Sequence, residues 1–281
     1  MKPFATLIAI VILCSCSHSQ SVSYTGSTPA NAEVRRFLNI SMTDSIDFIR
    51  WKVVLRDNTY ELNCSYGLCL PGTSGFREDQ RVMIKSMLVK KAPFIQLQND
   101  KRSIYLLIVN SNLLHFVNAD KQLLIGNGGW SYALNNVQPD PAANAQFTLP
   151  YTVSAPAPIM TFIGRTPCHP LAEMLQLNKS DACNKMKWHL VLYTDSLTGQ
   201  PTHYAKGSRR EREDPSLWGK WAIKKGKKGE TIYVLNPEKG DAATYLLKAS
   251  DTILYVTDAK GSLLMGNEDF SWVLNGAVEN P

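Results

Sequence analysis

The sequence predicts an all-β protein built from two tandem copies of one antiparallel domain. The first observation is an internal repeat, because residues 105–135 recur without a gap as residues 245–275, and 12 of the 31 positions are identical. The second observation is that the repeated stretch consists of short apolar runs separated by polar turn residues, a pattern typical of a β-meander. A chain of 281 residues accommodates two domains of ordinary size, so the repeat indicates a duplicated domain.

Three strands are predicted within the first copy of the repeat, at residues 105–109, 113–117 and 122–125. These segments are rich in apolar residues that suit a pleated surface, and Asn, Ser and Asp separate them. Gly126 and Asn127 end the third strand, since both residue types tolerate positive φ. A short hairpin is not stable alone, so the rest of each copy must supply more strands.

The beginnings of the two copies also match, as Gly-x-Thr-Pro at residues 26–29 and 164–167. After each of them, apolar residues at three- and four-residue spacing predict a short helix, at residues 32–38 and 170–175. A strand with alternating faces follows in each copy and carries Trp51 or Trp188, which we expect to be core anchors. Further strands are predicted at residues 219–224 and 231–235 and, in degenerate form, at 83–89 and 94–97.

The N-terminus carries the features of an export signal. Residues 1–15 have a lysine, an apolar run too short to cross a membrane and a small-residue end. The sequence Leu-Cys-Ser-Cys at residues 13–16 resembles a bacterial lipobox, which implies that Cys16 becomes the first mature residue and carries the lipid. Ser17 in place of Asp then implies an outer membrane lipoprotein that faces the periplasm. An ordinary cleaved signal with incidental cysteines is the alternative.

Composition indicates the boundaries of the tether, the two domains and the linker. Residues 16–24 predict a flexible tether, 25–137 the first domain, and 159–278 the second. The five prolines of residues 138–158 predict a semi-extended linker. The net charge of +6 is mild, and the two dense charge runs, at residues 209–213 and 224–228, indicate solvated hairpin tips or a patch for anionic lipid. Nucleic acid is not an expected partner of an exported protein.

Four cysteines remain after the leader and the lipidation site, and they occur as one pair in each copy. Cys64 and Cys69 have no counterpart in the second copy, and Cys168 and Cys183 have none in the first. Cysteines that appear in pairs predict two disulfides, Cys64–Cys69 and Cys168–Cys183, in an oxidising compartment. Metal or redox chemistry is the rival interpretation, but neither pair is Cys-x-x-Cys and no histidine lies at ligand spacing. We therefore expect no metal and no cofactor.

The chain lacks the common catalytic motifs, among them Gly-x-Ser-x-Gly, His-Glu-x-x-His and phosphate-binding glycine loops. Of its five histidines, His115 and His189 lie on predicted strands, where we expect a lone histidine to be structural. Four carboxylates of the second copy fall in predicted turns, where we expect solvated side chains: Asp251, Asp258, Glu268 and Asp269. Catalysis would need two such groups to converge. We therefore expect no catalytic residue.

Four motifs of the second copy together resemble the NlpE N-terminal domain family. They are Gly-x-Thr-Pro-Cys at residues 164–168, Gly-Lys-Trp at 219–221, Thr-Ile-Leu-Tyr-Val-Thr-Asp-Ala-Lys-Gly at 252–261 and Gly-Asn-x-x-Phe-Ser-Trp-x-Leu-Asn at 266–275. The resemblance covers both copies and implies small lipocalin-like antiparallel barrels in envelope lipoproteins associated with copper resistance and surface-contact stress. That family carries Cys-x-x-Cys near the head. Cys168 matches its first cysteine, but Leu171 occupies the second position, so copper binding is not implied.

Three functional hypotheses follow. The first is a lipid-anchored envelope protein without catalytic activity, which binds a small apolar ligand or senses envelope or copper stress. The second is a structural or interaction module of the outer membrane that engages another envelope protein. The third is an envelope hydrolase. An internal cavity would favour ligand binding, since a barrel of about eight strands either holds a small ligand or is filled by side chains.

Overall fold

The computed structural model describes residues 21–168, 183–207, 218–237 and 242–277. It is all-β and contains two closed barrels in tandem, each made of eight antiparallel strands. The predicted fold class is therefore confirmed. Residues 170–175, where the second helix is predicted, lie outside the described residues.

In barrel 1 each strand pairs with the next along the chain, and β1 pairs with β8 to close the wall. Its strands are β1 Val22–Thr28, β2 Phe48–Leu55, β3 Thr59–Gly67, β4 Gln80–Lys91, β5 Phe94–Asn99, β6 Arg102–Asn110, β7 Leu113–Val117 and β8 Ala133–Asn136. Since β1 begins at Val22, the last residues of the predicted tether belong to the barrel.

Barrel 2 repeats this arrangement, with β9 pairing with β16 at the closure. Its strands are β9 Ile159–Pro167, β10 Lys185–Thr194, β11 Pro201–Lys206, β12 Trp218–Lys225, β13 Thr231–Pro237, β14 Thr244–Lys248, β15 Ile253–Thr257 and β16 Val273–Gly276. A 3-10 helix, Pro141–Ala145, lies in the linker between the two barrels.

Helix α1, Ala32–Leu38, follows β1 as predicted and packs against the core of barrel 1. The Asn31 side chain accepts the Val34 N–H at its start, and Asn39 adopts the left-handed conformation at its end, with φ 58°. Phe37 and Leu38 are buried in the core of the barrel. The helix is held to the wall because the Asn99 side-chain amide, at the β5–β6 turn, donates to the Phe37 carbonyl.

The third strand predicted within the repeat, at residues 122–125, is wrong. Leu123 forms only an isolated bridge with Val117, and Leu263 forms the same bridge with Thr257 in the second copy. The Leu124 N–H does bond to the Phe116 carbonyl, but the chain then leaves the wall. Apolar side chains of this segment pack although the segment forms no ladder. An apolar pattern alone does not distinguish a strand from a packed loop.

The Gly-x-Thr-Pro motif is explained by the barrel closure and the core. A side chain at Gly26 would place its Cβ 2.5 Å from the Ala133 carbonyl oxygen, and one at Gly164 would place it 2.9 Å from that of Val273. Glycine is therefore required where the first strand of each barrel meets the last. In both copies the threonine accepts a hydrogen bond from the buried tryptophan of the next strand. Trp51 Nε1 donates to Thr28 Oγ1 at 2.8 Å, and Trp188 Nε1 donates to Thr166 Oγ1 at 2.9 Å. Both tryptophans are core anchors, as predicted.

The Trp51–Thr28 hydrogen bond supplies the first test. We expect Thr28→Val to lower the free energy of unfolding by about 1–3 kcal/mol, because valine keeps the shape but leaves the buried indole N–H unpaired. Thr28→Ser, which retains the hydroxyl, is the control and should lose much less. Urea unfolding followed by tryptophan fluorescence measures both. Equal stability of the valine variant and the wild type would contradict a structural role for this bond.

Candidate functional site

The two barrels pack against each other through a shared apolar cluster. It joins strands β6, β7 and β8 of barrel 1 to strands β14, β15 and β16 of barrel 2, together with residues of the loops between them. Its buried members are Leu107, Val109, Leu113, Val117, Leu123, Ala133, Leu247, Ala249, Ile253, Tyr255, Leu263 and Val273. Because these side chains are withdrawn from water only when both barrels are present, the hydrophobic effect stabilises the pair as one unit.

We call the contact between the two barrels around this cluster the junction. Two reciprocal hydrogen bonds cross it. The Gly126 N–H donates to Asn275 Oδ1 at 2.7 Å, and the Gly266 N–H donates to Asn135 Oδ1 at 3.0 Å. Each residue of one bond corresponds to a residue of the other at the 140-residue shift of the repeat. The junction therefore has approximate two-fold symmetry, which is the arrangement of an isologous dimer within a single chain.

His115 and Tyr255 occupy equivalent positions of the two repeats and meet at the centre of the junction, both buried. The Tyr255 hydroxyl lies 2.9 Å from His115 Nδ1, and His115 Nε2 lies 3.0 Å from the Leu124 carbonyl oxygen. Since a carbonyl only accepts, Nε2 carries the proton and Nδ1 accepts from tyrosine. Burial lowers the pKa of His115 to about 4, against a smaller opposing effect of the Leu124 carbonyl. The imidazole is thus held neutral.

The rim of the junction carries an ion pair and a cation–π contact. Arg50 of barrel 1 pairs with Asp269 of barrel 2, and the Ser27 hydroxyl donates to the Glu268 carbonyl at 2.8 Å. The Arg165 guanidinium of barrel 2 lies 5.4 Å from the ring centroid of Trp130 in barrel 1. Two residues expected as solvated turn positions, Glu268 and Asp269, therefore contact the other barrel.

The remaining two carboxylates have separate local partners. Asp251 pairs with the buried Lys248 at 2.8 Å and accepts the Ser154 N–H at 3.0 Å. Asp258 accepts the backbone N–H groups of its own turn. In the described part of the chain, no group of three or more His, Cys, Asp or Glu side chains could hold a metal ion. The structure therefore assigns these carboxylates to hydrogen bonds within the fold.

The linker is bound at the junction. The Asn112 side chain of barrel 1 donates to the Asp140 carbonyl at 2.6 Å, and the Leu263 N–H of barrel 2 donates to the Asn144 carbonyl at 2.9 Å. Lys248 Nζ donates to the Ser154 carbonyl at 2.8 Å. Three apolar linker residues also pack on the shared cluster: Phe147, Leu149 and Tyr151. The linker thus adds contacts to both barrels, and we expect it to resist proteases while the junction is closed.

One of the two predicted disulfides is present. Cys168 and Cys183 are bonded, with Cα atoms 5.8 Å apart, and join the end of β9 to the start of β10. The predicted Cys64–Cys69 bond is wrong, because both are free thiols. Cys64 lies on β3 and points into the core of barrel 1, where burial raises its pKa well above the usual value. Cys69 lies in the loop beyond β3, with its sulfur near the carbonyls of that loop.

Large side chains fill the middle of both barrels. In barrel 1 the Phe116 ring lies 4.9 Å from that of Trp51 and 6.2 Å from that of Tyr132. In barrel 2 the rings of Trp221 and Tyr233 lie 5.0 Å apart. The clefts are at strand ends and loops: one of about 570 Å³ is lined by residues such as Tyr24, Ser111 and Asn136, and one of about 400 Å³ adjoins the disulfide.

The other predicted features have mixed outcomes. Cys16, the predicted lipidation site, lies outside the described residues, as do His18 and His169. His203 stacks between Tyr193 and Trp218 on the outer surface of barrel 2, with ring centroids 4.4 and 5.4 Å away. Among the described residues, no helix has the length and apolar character needed to cross a membrane.

Comparison with known proteins adds no assignment. No family model, no curated protein and no solved structure matches this chain.

The reciprocal hydrogen bonds can be tested through the linker. We expect Asn135→Ala combined with Asn275→Ala to speed cleavage of residues 138–158 by about tenfold or more, because the half-buried N–H groups of Gly126 and Gly266 lose their acceptors at a cost of about 0.5–1.5 kcal/mol each. Limited proteolysis with mass spectrometry measures the rate and the sites. Asn63→Ala, an exposed asparagine on β3, is the control. Unchanged cleavage of the double variant would show that the bonds do not hold the junction closed.

The buried histidine gives a pH dependence. The pKa of His115 is lowered from 6.5 to about 4, so between these values the unfolded chain binds a proton that the folded protein does not. The corresponding stability, up to about 3 kcal/mol, is fully present above pH 6.5 and is lost as pH falls towards 4. Urea unfolding at neutral pH and in mild acid should reveal this slope in the wild type. The slope should be smaller in His115→Gln, because glutamine does not titrate. An equal slope in both proteins would show that the pH dependence comes from other groups.

Proposed function

We propose that this protein is a bacterial envelope lipoprotein without catalytic activity, anchored through Cys16 to the outer membrane and facing the periplasm. It acts as a binding or sensing module. The observation that carries this proposal is the packing of both barrels: in the described residues, aromatic and aliphatic side chains form a core cluster inside each barrel, and the contact between the barrels is apolar. Of the two non-catalytic roles, contact with another envelope protein is supported better than binding of an internal apolar ligand. Side chains occupy the barrel interiors, so a partner would be recognised at the outer surface.

A short connection joins the proposed anchor to the barrels. Residues 17–21 separate Cys16 from the start of β1 at Val22. Even a fully extended chain of this length spans only roughly 20 Å. Barrel 1 would therefore stay next to the membrane, so the proposed partners are proteins of the same membrane or of the adjoining periplasm.

The arrangement of polar groups supports a non-catalytic role. The carboxylates Asp251, Asp258 and Asp269 each have their own hydrogen-bond partners, whereas a hydrolase needs two groups converging on one substrate. Cys168, which matches the first cysteine of the NlpE-like motif, is bonded to Cys183. Its sulfur is therefore not available as a thiolate ligand for copper, and the sensing role that we propose does not use this motif.

The anchor is the directly testable part of the proposal. We expect Cys16→Ala to move the protein from the membrane fraction to the soluble periplasmic fraction and to abolish incorporation of radiolabelled palmitate, because several acyl chains on one cysteine form a stable anchor. Fractionation and autoradiography of the same cultures measure both. Cys14→Ala is the matched control and should leave the protein on the membrane. Palmitate that still enters the Cys16 variant would place the lipid elsewhere.

A further inference from the structure

One half of strand β4 has a free edge. β4 pairs with β3 from Gln80 to Met87, whereas its ladder with β5 covers only Leu88–Lys91. The Leu88 N–H donates to the Asn58 carbonyl at 2.9 Å, which fixes the even-numbered residues as those facing β3. The N–H and C=O groups of the odd-numbered residues in this half therefore point away from β3. In the described part of the chain, those of Arg81, Met83 and Lys85 have no hydrogen-bond partner.

Burial changes at the point where pairing stops. Leu88, where β5 begins to pair, is 3% exposed. Val82 and Ile84 point into the same core but are only half-buried. On the outer face, Met83 is 74% exposed and Met87 52% exposed. This half of β4 thus extends beyond its pairing with β5, and its outer face alternates two methionines with two cations, Arg81 and Lys85.

In barrel 2 the described part of the equivalent strand, β12, forms a ladder with β13 from Gly219 to Lys225. Residues 208–217, which precede this strand, lie outside the described residues. Natural proteins usually protect such an edge, because unpaired backbone groups accept a further strand.

We propose that this half of β4 binds an extended segment of another protein as an added β-strand, and that the segment alternates acidic and apolar side chains. Backbone hydrogen bonds to Arg81, Met83 and Lys85 would supply the affinity, and the side chains the selectivity. The Arg81 and Lys85 side chains are 72% and 71% exposed on the outer face, where they pair with Asp79 and Glu61 of this chain, and Met83 lies between them. Exposed ion pairs of this kind contribute little to stability, so an added strand that places Asp or Glu opposite the two cations and an apolar residue opposite Met83 would still gain contacts on this face.

Two copies that pair antiparallel about Met83 would place Arg81 opposite Lys85, and like charges directly opposite are destabilising. A register shifted by two residues would instead place Asp79 opposite Lys85, so a second copy is one outcome of the test. The residues that precede the described N-terminus, Cys-Ser-His-Ser-Gln at 16–20, contain no acidic side chain. The proposed occupant is a segment of a different protein. This inference deepens the proposed interaction role by naming the chemistry of the partner.

The test uses purified full-length protein and two synthetic peptides. One peptide carries Glu at the positions opposite Arg81 and Lys85 with Val and Ile elsewhere, and the other carries Lys at the same two positions. We expect the Glu peptide to bind and the Lys peptide to bind about tenfold more weakly or worse. Fluorescence anisotropy measures the affinity. Amide hydrogen exchange should show new protection at Met83 and Lys85 but no change at Val82 and Ile84, which already face β3.

Two variants complete the test. Met83→Pro removes one free N–H, without touching the β3 ladder, and should abolish binding of the Glu peptide. Arg81→Glu combined with Lys85→Glu should invert the preference, so that the Lys peptide binds more tightly than the Glu peptide. Absence of binding by both peptides, or binding that neither variant alters, would overturn the proposal. Peptide-independent dimers, seen by light scattering and removed by Met83→Pro, would assign the edge to a second copy instead. Because the measurement is made in solution, its failure would leave the anchor proposal intact.

Discussion

The reciprocal contact between Asn135 and Gly266, and between Asn275 and Gly126, is the constraint on which the rest of the structure depends. Each pair satisfies a half-buried backbone N–H. Glycine is needed at both positions, because a Cβ would lie 2.2 Å from the Trp130 carbonyl oxygen or 2.4 Å from that of Phe270 in its own turn, and 2.9 Å from the facing asparagine side chain. With the barrels fixed in this orientation, the apolar cluster closes, His115 meets Tyr255, and the linker acquires a surface to which it binds.

This junction also explains why parts of the repeat have remained identical. Gly126, Asn127 and Asn135 and their equivalents in the second copy look like turn residues in the sequence, and Asn127 does accept the N–H groups of its own turn. Asn135, however, bonds across the junction to the Ser271 hydroxyl as well as to Gly266. A repeat shows which residues the copies share, but it does not show whether a shared residue serves its own copy or the other one. The residues of the candidate site could therefore be recognised in the sequence as identical positions of the two copies. The sequence did not show which residues they contact.

The fold was predictable to the extent that it follows from local patterns. Alternating faces, turn residues and the repeat predicted two antiparallel domains, and the alternation around Trp51 and Trp188 predicted their burial. Features that depend on relative position in space were not predictable. Cys64 and Cys69 are five residues apart in the sequence, yet one thiol points into a barrel while the other lies in a loop beyond the strand end. Residues 122–125 have the composition of a strand, but Leu123 is buried without a ladder and Ile125 is exposed.

The duplication also limits where function can lie. An isologous junction uses the same face of both barrels, so that face is withdrawn from external partners in each copy. External recognition must then use surfaces outside this junction. The free half of β4 is such a surface, because an unpaired strand edge is a directional binding surface.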